Sequence, residues 1–198
     1  MSDFKGLKSL HRHNGDSSYD WFSYRCGHCG SKTSGPVVAS YPEPRDPTVR
    51  WILCINCFKG SVWQQPGHVY PPSLAGEDLA GLPEGVAEAY EETRRCMGVR
   101  AYSGAELLCR RLLMHVAADK GAAEGLSFEA YLKHLEDEGY VTPPMKPWVD
   151  LIRKHGNKAT HRLDPPDYKR AEATFLFTTE LLRLVYEMDH HAKSYLTP

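Results

Sequence analysis

Two regimes of hydrophobic spacing divide the chain. From about residue 19 to residue 69, apolar positions fall in short β-rich runs bounded by turn formers: Trp21-Phe22-Ser23-Tyr24, Pro36-Val37-Val38-Ala39 and Val49-Arg50-Trp51-Ile52-Leu53. The last two are separated by the Pro-rich Tyr41-Pro42-Glu43-Pro44-Arg45-Asp46-Pro47, and Gly60-Ser61-Val62-Trp63 supplies a final strand. From Leu82 onward the period becomes helical. Leu82, Val86, Tyr90, Thr93 and Met97 mark one face of a first helix. Ser103 and Glu106 have the spacing of a capping box, opening a second helix with Leu108, Leu112, His115 and Val116 close together. Ser127 caps a third, with Phe128, Tyr131, Leu132 and Leu135, closed by Gly139. A fourth runs from Pro144 to about His161 with Trp148, Leu151, Ile152 and His155 facing inward. Asp164-Pro165-Pro166-Asp167 starts a long fifth carrying Phe175, Leu182, Val185 and Met188.

The expected fold class is therefore α+β: a small N-terminal β module followed by an all-α helical bundle. The expected organisation is a flexible tail over 1–18, the β module over 19–70, a Pro- and Gly-rich linker over 71–81 and the bundle over 82–192. Composition changes this picture little. With 198 residues, 41% hydrophobic and 25% charged, the chain has the make-up of a soluble globular protein. A formal net charge of −1 gives no global attraction to nucleic acid or acidic membranes. No apolar run is long enough to cross a bilayer and the start has no secretory core, so the expected compartment is the cytoplasm, with no membrane partner.

The cysteines change the picture most. Of six, four form two Cys-x-x-Cys pairs, Cys26-Gly27-His28-Cys29 and Cys54-Ile55-Asn56-Cys57. Four thiolates delivered in this way are what a tetrahedral zinc ion requires. A β module of roughly fifty residues buries too little apolar surface to be comfortably stable alone. Zinc would supply on the order of 10 kcal/mol of apparent binding energy. Four sulfurs close the shell, leaving no position for activated water, so the expected cofactor is a structural Zn2+. Cys96 and Cys109 fall within helical patterns and read as core thiols.

On the fourth helix Arg153, Asn157 and His161 recur every four residues, drifting by about 40° per step. A guanidinium, an amide and an imidazole on one face can hold a phosphate and move a proton near neutral pH. Local capping and dipole effects account for Asn and His near a helix end equally well. Positive charge also concentrates along Arg94, Arg95, Arg100, Arg110, Arg111 and Lys120, and again along Arg153, Lys154, Lys158 and Arg162. Among these, Arg110, Arg111 and Lys158 are the candidate nucleic-acid contacts.

From Leu82 to Met188 the chain resembles the family catalogued as domain of unknown function 4145. The stretches that carry the likeness are residues 102–112, Tyr-Ser-Gly-Ala-Glu-Leu-Leu-Cys-Arg-Arg-Leu, and residues 152–161, Ile-Arg-Lys-His-Gly-Asn-Lys-Ala-Thr-His. Members often carry a cysteine-rich N-terminal module. The family is similar to the HEPN superfamily of helical domains, many of them metal-independent ribonucleases of toxin–antitoxin, restriction and anti-phage systems. Its signature is an Arg, then a polar residue, four to six residues ahead of a His. Asn157 and His161 match the polar position and the His, Gly156 stands where the Arg belongs, and Arg153 lies outside that window. The resemblance implies a HEPN-like bundle, a homodimer, an RNA or DNA partner and a link to prokaryotic defence. Any enzymatic activity would be that of a metal-independent endoribonuclease. The alternative is a noncatalytic dimeric adaptor whose zinc ribbon recognises a protein partner.

Overall fold

The structure, a computed structural model, describes residues 8–9, 20–41, 47–159 and 165–196, with the side chains of 8–9 and 155–159 outside the description. The chain divides into two compact units, Met1–Leu74 and Ala75–Pro198.

The first unit is antiparallel. Its strands are β1 Lys8–Ser9, β2 Trp21–Arg25, β3 Lys32–Tyr41, β4 Val49–Leu53, β5 Gly60–Gln64 and β6 His68–Tyr70. The order is β1-β3-β4-β5-β6, with β2 paired to the first half of the long β3. Lys8–Ser9, inside the stretch expected as tail, pairs with Ser40 and Ala39. Strand β6 lies where Pro and Gly had suggested the approach to a linker. A register shift between Val37 and Ala39 marks a bulge in β3. Period-2 alternation sends Ile52 and Ser61 inward. The buried cluster is small: Tyr24, Cys26, Ile52 and Cys54, flanked by Phe22, Cys57, Trp63 and Val69. The guanidinium of Arg50 stacks over the rings of Trp63 at 4.5 Å and Phe22 at 5.0 Å. Two of four core residues are metal-ligand candidates, which is why apolar burial alone cannot hold this module.

The second unit comprises α1 Glu84–Gly98, α2 Tyr102–Asp119, α3 Phe128–Asp137, a 3-10 turn Pro143–Met145, α4 Lys146–Ala159, α5 Tyr168–Leu182, a π turn Arg183–Glu187 and α6 Met188–Leu196. Helix α2 is the centre, burying Ala105, Cys109, Leu112, Leu113, Val116 and Ala117 among α1, α3 and α5. Caps follow the sequence at two starts: Ser127 Oγ accepts from Ala130 N at 3.2 Å, and Asp167 Oδ1 accepts from Arg170 N at 2.8 Å. Gly139, at φ +81°, closes α3.

Helix α2 departs from expectation. Ala101 holds the cap position without a side-chain bond. Glu106, the would-be capping-box partner, instead receives Nε and Nη2 of Arg170 at 3.0 and 2.8 Å, tying α2 to α5. Helix α4 is also rotated from the expected face. Among its described side chains Val149 and the expected Ile152 are buried, while Trp148 and Leu151 are exposed; the side chain of His155, also expected inward, lies outside the description. Buried threonines satisfy their hydroxyls locally: Thr93, Thr174, Thr178 and Thr179 each donate to the carbonyl four residues back. Burial pushes the Cys109 thiol up to about 12, against a bond to Thr178, so it remains a protonated core residue.

Residues 75–81, expected as part of the linker, form a strap on the helices. Leu79 packs against the core. Arg94 holds the Ala75 carbonyl through Nε at 2.7 Å and pairs with Asp78. Tyr90 donates to the Glu77 carbonyl at 3.1 Å and stacks on Phe175. Glu187 accepts from Ala80 N at 2.9 Å, and Arg183 in the π turn reaches Glu77 at 3.0 Å. Gly76, at φ +64°, sits against the Phe175 ring where a side chain would not fit.

The Glu106–Arg170 pair is mostly buried on both sides, 10% and 16% exposed. Glu106→Ala is expected to cost about 3 kcal/mol in denaturant unfolding, because it removes a bidentate acceptor from a shielded cation. Replacing both residues by apolar ones should recover most of that loss.

Candidate metal centre

The two Cys-x-x-Cys segments fold into near-identical turns. In the first, Cys26 N donates to Ser31 O and Gly30 N to Cys26 O, both at 2.9 Å. In the second, Cys54 N donates to Lys59 O at 3.0 Å and Phe58 N to Cys54 O at 2.9 Å. The amides of His28 and Asn56 each donate to the sulfur two residues back, at 3.4 Å. This geometry points both sulfurs of each pair toward one centre. All four sulfurs lie within 4.8 Å of one another.

The spacing discriminates between chemistries. Cys26 to Cys57 and Cys29 to Cys54 are each 3.8 Å, far beyond the roughly 2.05 Å of a disulfide. A tetrahedron with metal–sulfur bonds of about 2.3 Å has edges of about 3.8 Å. The thiols stand where thiolate ligands would sit, and the donor set is compatible with zinc.

The turns brace each other. His28 Nε2 lies 2.9 Å from the Gly60 carbonyl, so this nitrogen carries the proton and donates. Asn56 Nδ2 reaches across to Ser31 Oγ at 2.8 Å and to the Cys29 sulfur at 3.8 Å. The Ser31 hydroxyl and amide bonds hold the Cys29 thiol down to about 6. Burial opposes ionisation of Cys54, but the amides of Cys57 and Asn56 outweigh it and lower that thiol. Cys57 has a favourable bond from Lys59, yet burial and its three sulfur neighbours drive it up to about 11. Backbone donors therefore prepare part of the cluster as thiolate, while full ionisation needs a cation among the sulfurs. Zn2+ bound here would supply that charge and, with its shell filled by sulfur, no open coordination position.

Two glycines and one phenylalanine show what the turns require. A side chain at Gly27 would overlap the Pro71 and Pro72 carbonyls, so this glycine serves close approach. Gly30 and Phe58 are equivalent positions, four residues after the first cysteine of each pair, with φ of +70° and +57°. The second turn thus places a bulky, 76% exposed residue in the left-handed region. Sequence reasoning missed this, although Phe aligned with Gly in the two turns was the available signal. It also missed Tyr24 and Ser61, whose hydroxyls are buried beside the cluster without a hydrogen-bond partner among the described residues.

A family model described as Domain of unknown function (DUF4145) matches residues 91–197, more than half of the chain. The chain belongs to this family. No curated protein and no solved structure matches it. The DUF4145 match begins within α1 and leaves the metal centre outside it.

Within the DUF4145 region, Arg153 bonds to Glu136 on α3 at 3.0 Å and to Asp150 at 3.4 Å. Asn157 belongs to α4, but its side chain, like that of Lys158 and all of His161, lies outside the described residues. Arg110 packs over the Phe128 ring at 4.3 Å. Arg111 lines an open groove of about 350 Å³ between α1 and α2, facing Glu88, Glu92 and His115.

Gly27→Ala is expected to destabilise the metal-loaded ribbon, because its methyl meets backbone that cannot turn aside; a fall in melting temperature checks this. Phe58→Gly is expected to act in the opposite direction, gaining about 1 kcal/mol from relief of left-handed strain. Thermal melts of the zinc-loaded variants measure both.

Proposed function

We propose that this protein is a noncatalytic adaptor: a structural zinc ribbon presents an apolar sheet face to a protein partner, and the helical DUF4145 domain joins two copies. The observation that carries the reading is the face of β3–β6 opposite the metal cluster. Ala39, Trp51, Val62 and Tyr70 are direct neighbours across four strands. Tyr41, Val49, Leu53, Gln64 and His68 complete this face, and none carries a fixed charge. Trp51 is 36% and Tyr70 52% exposed. Solvent-exposed aromatics within a continuous apolar row are the usual mark of a protein contact. A nucleic-acid surface would need cations there to meet phosphates, and the face has none.

The arrangement of four cysteines supports a structural role for zinc, since four sulfurs saturate the ion. Trp148 and Leu151 on α4, Leu176 on α5 and Met188 on α6 are exposed apolar residues of the helical unit that a homodimer would cover. The competing reading is an RNA-interacting protein of prokaryotic defence using Arg153, Asn157 and His161. It has to free Arg153 from two carboxylates before that side chain can meet a phosphate.

Site-specific photocrosslinking from position 51 in the native host distinguishes the two. The adaptor reading expects crosslinks to protein that are lost in Tyr70→Asp and unchanged in His161→Ala. Crosslinks to RNA, or RNA cleavage by the purified protein that His161→Ala abolishes, would overturn it.

A further inference from the structure

Beside the sulfur cluster lie two hydroxyls that the fold has removed from water without giving them a partner. Tyr24 on β2 is 8% exposed and Ser61 on β5 is 2% exposed. Neither hydroxyl oxygen has a hydrogen-bond partner among the described residues. Leaving a buried donor unsatisfied forfeits its solvation without return, so two in one small core need an acceptor that completes them. Tyr24 packs in the same buried cluster as Cys26 and Cys54. Ser61 faces Ile52 in the β4–β5 ladder, two residues from Cys54. The two hydroxyls and the Cys54 sulfur lie within interaction range of one another.

A thiol sulfur is a weak acceptor, and a thiolate is a strong one. As a metal ligand the Cys54 sulfur is a thiolate, and so a strong acceptor. The backbone amide of Asn56 supplies one donor to this sulfur, leaving acceptor capacity on the side of Tyr24.

We propose that Tyr24 and Ser61 form a hydroxyl pair that donates to the Cys54 thiolate of the metal-loaded centre and so positions that ligand and tightens metal binding. One hydroxyl donates to the other, and the second donates to sulfur. A metal-bound Cys54 thiolate gives the pair its acceptor, which ties this ligand to the ribbon core. The inference rests on the metal reading of the four cysteines and adds two positioning residues to it.

The test uses the full-length protein with Zn2+ and Co2+ as probes. Zinc affinity is measured by competition with a chromophoric chelator, and the cobalt form by its thiolate-to-metal charge-transfer band. Tyr24→Phe keeps the ring and removes only the donor. It should weaken zinc binding roughly 10–100-fold, the usual effect of losing a ligand's outer partner. The cobalt band should move to lower energy, since a thiolate without that hydrogen bond is a stronger electron donor. Should Tyr24→Phe fail to fold, Ser61→Ala, which deletes a single oxygen, decides the matter by the same two readouts. Because the hydroxyls act in series, the double variant should lose little beyond the larger single loss. Unchanged affinity and an unchanged cobalt band in a folded variant would overturn the proposal. A wild-type protein that takes up neither ion would instead overturn the metal reading, and the proposal with it.

Discussion

Four sulfurs gathered around one point are the constraint on which the N-terminal unit depends. They come from two turns that leave β2 and β4, and each turn uses an amide to aim its first sulfur inward. The strands around them bury only Tyr24 and Ile52 as full apolar members of the cluster. A sheet so thinly cored gains its cohesion at the turns rather than between its faces. This explains why three of the ribbon's constrained backbone positions cluster there. Gly27 lets the Pro71 backbone approach, and Gly30 and Phe58 take left-handed angles.

The helical unit solves the same problem without help. It has a deep apolar centre on α2, and its polar groups are satisfied locally or in pairs. Its two cysteines differ from the ribbon's four in environment rather than in type. Cys109 is enclosed and kept protonated by burial, and Cys96 is shifted in the same direction for the same cause. One chain thus clusters cysteines as candidate ligands where the core is thin and buries cysteine as a small hydrophobe where it is thick.

Much of this was legible in the sequence. The paired cysteines, β4, the caps at Ser127 and Asp167 and the buried face of α1 follow from short-range patterns that tertiary contacts do not overrule. What escaped depends on partners distant in the chain. Glu106 has the spacing of a capping residue, but Arg170, 64 positions away, offers two bonds and a charge. Trp148 and Leu151 look like core residues on hydrophobicity alone, but packing against α5 turned Val149 inward beside the expected Ile152. For the candidate site the split is similar. The cysteines were legible, whereas the hydroxyls of Tyr24 and Ser61 became visible only once burial and missing partners could be seen together. Arg153 was legible as a charge, not as the occupant of a bond to Glu136.

The strap over residues 75–81 has a practical corollary for anyone dissecting this chain. Family boundaries place the start of the DUF4145 region at residue 91, in the middle of a helix. A fragment cut there would discard Tyr90 together with the backbone that Arg94 and Glu187 grip, baring the Phe175 ring. The compact helical unit begins earlier than the family match, at Ala75, and shortened versions are liable to be judged insoluble for a reason unrelated to the biology of the whole.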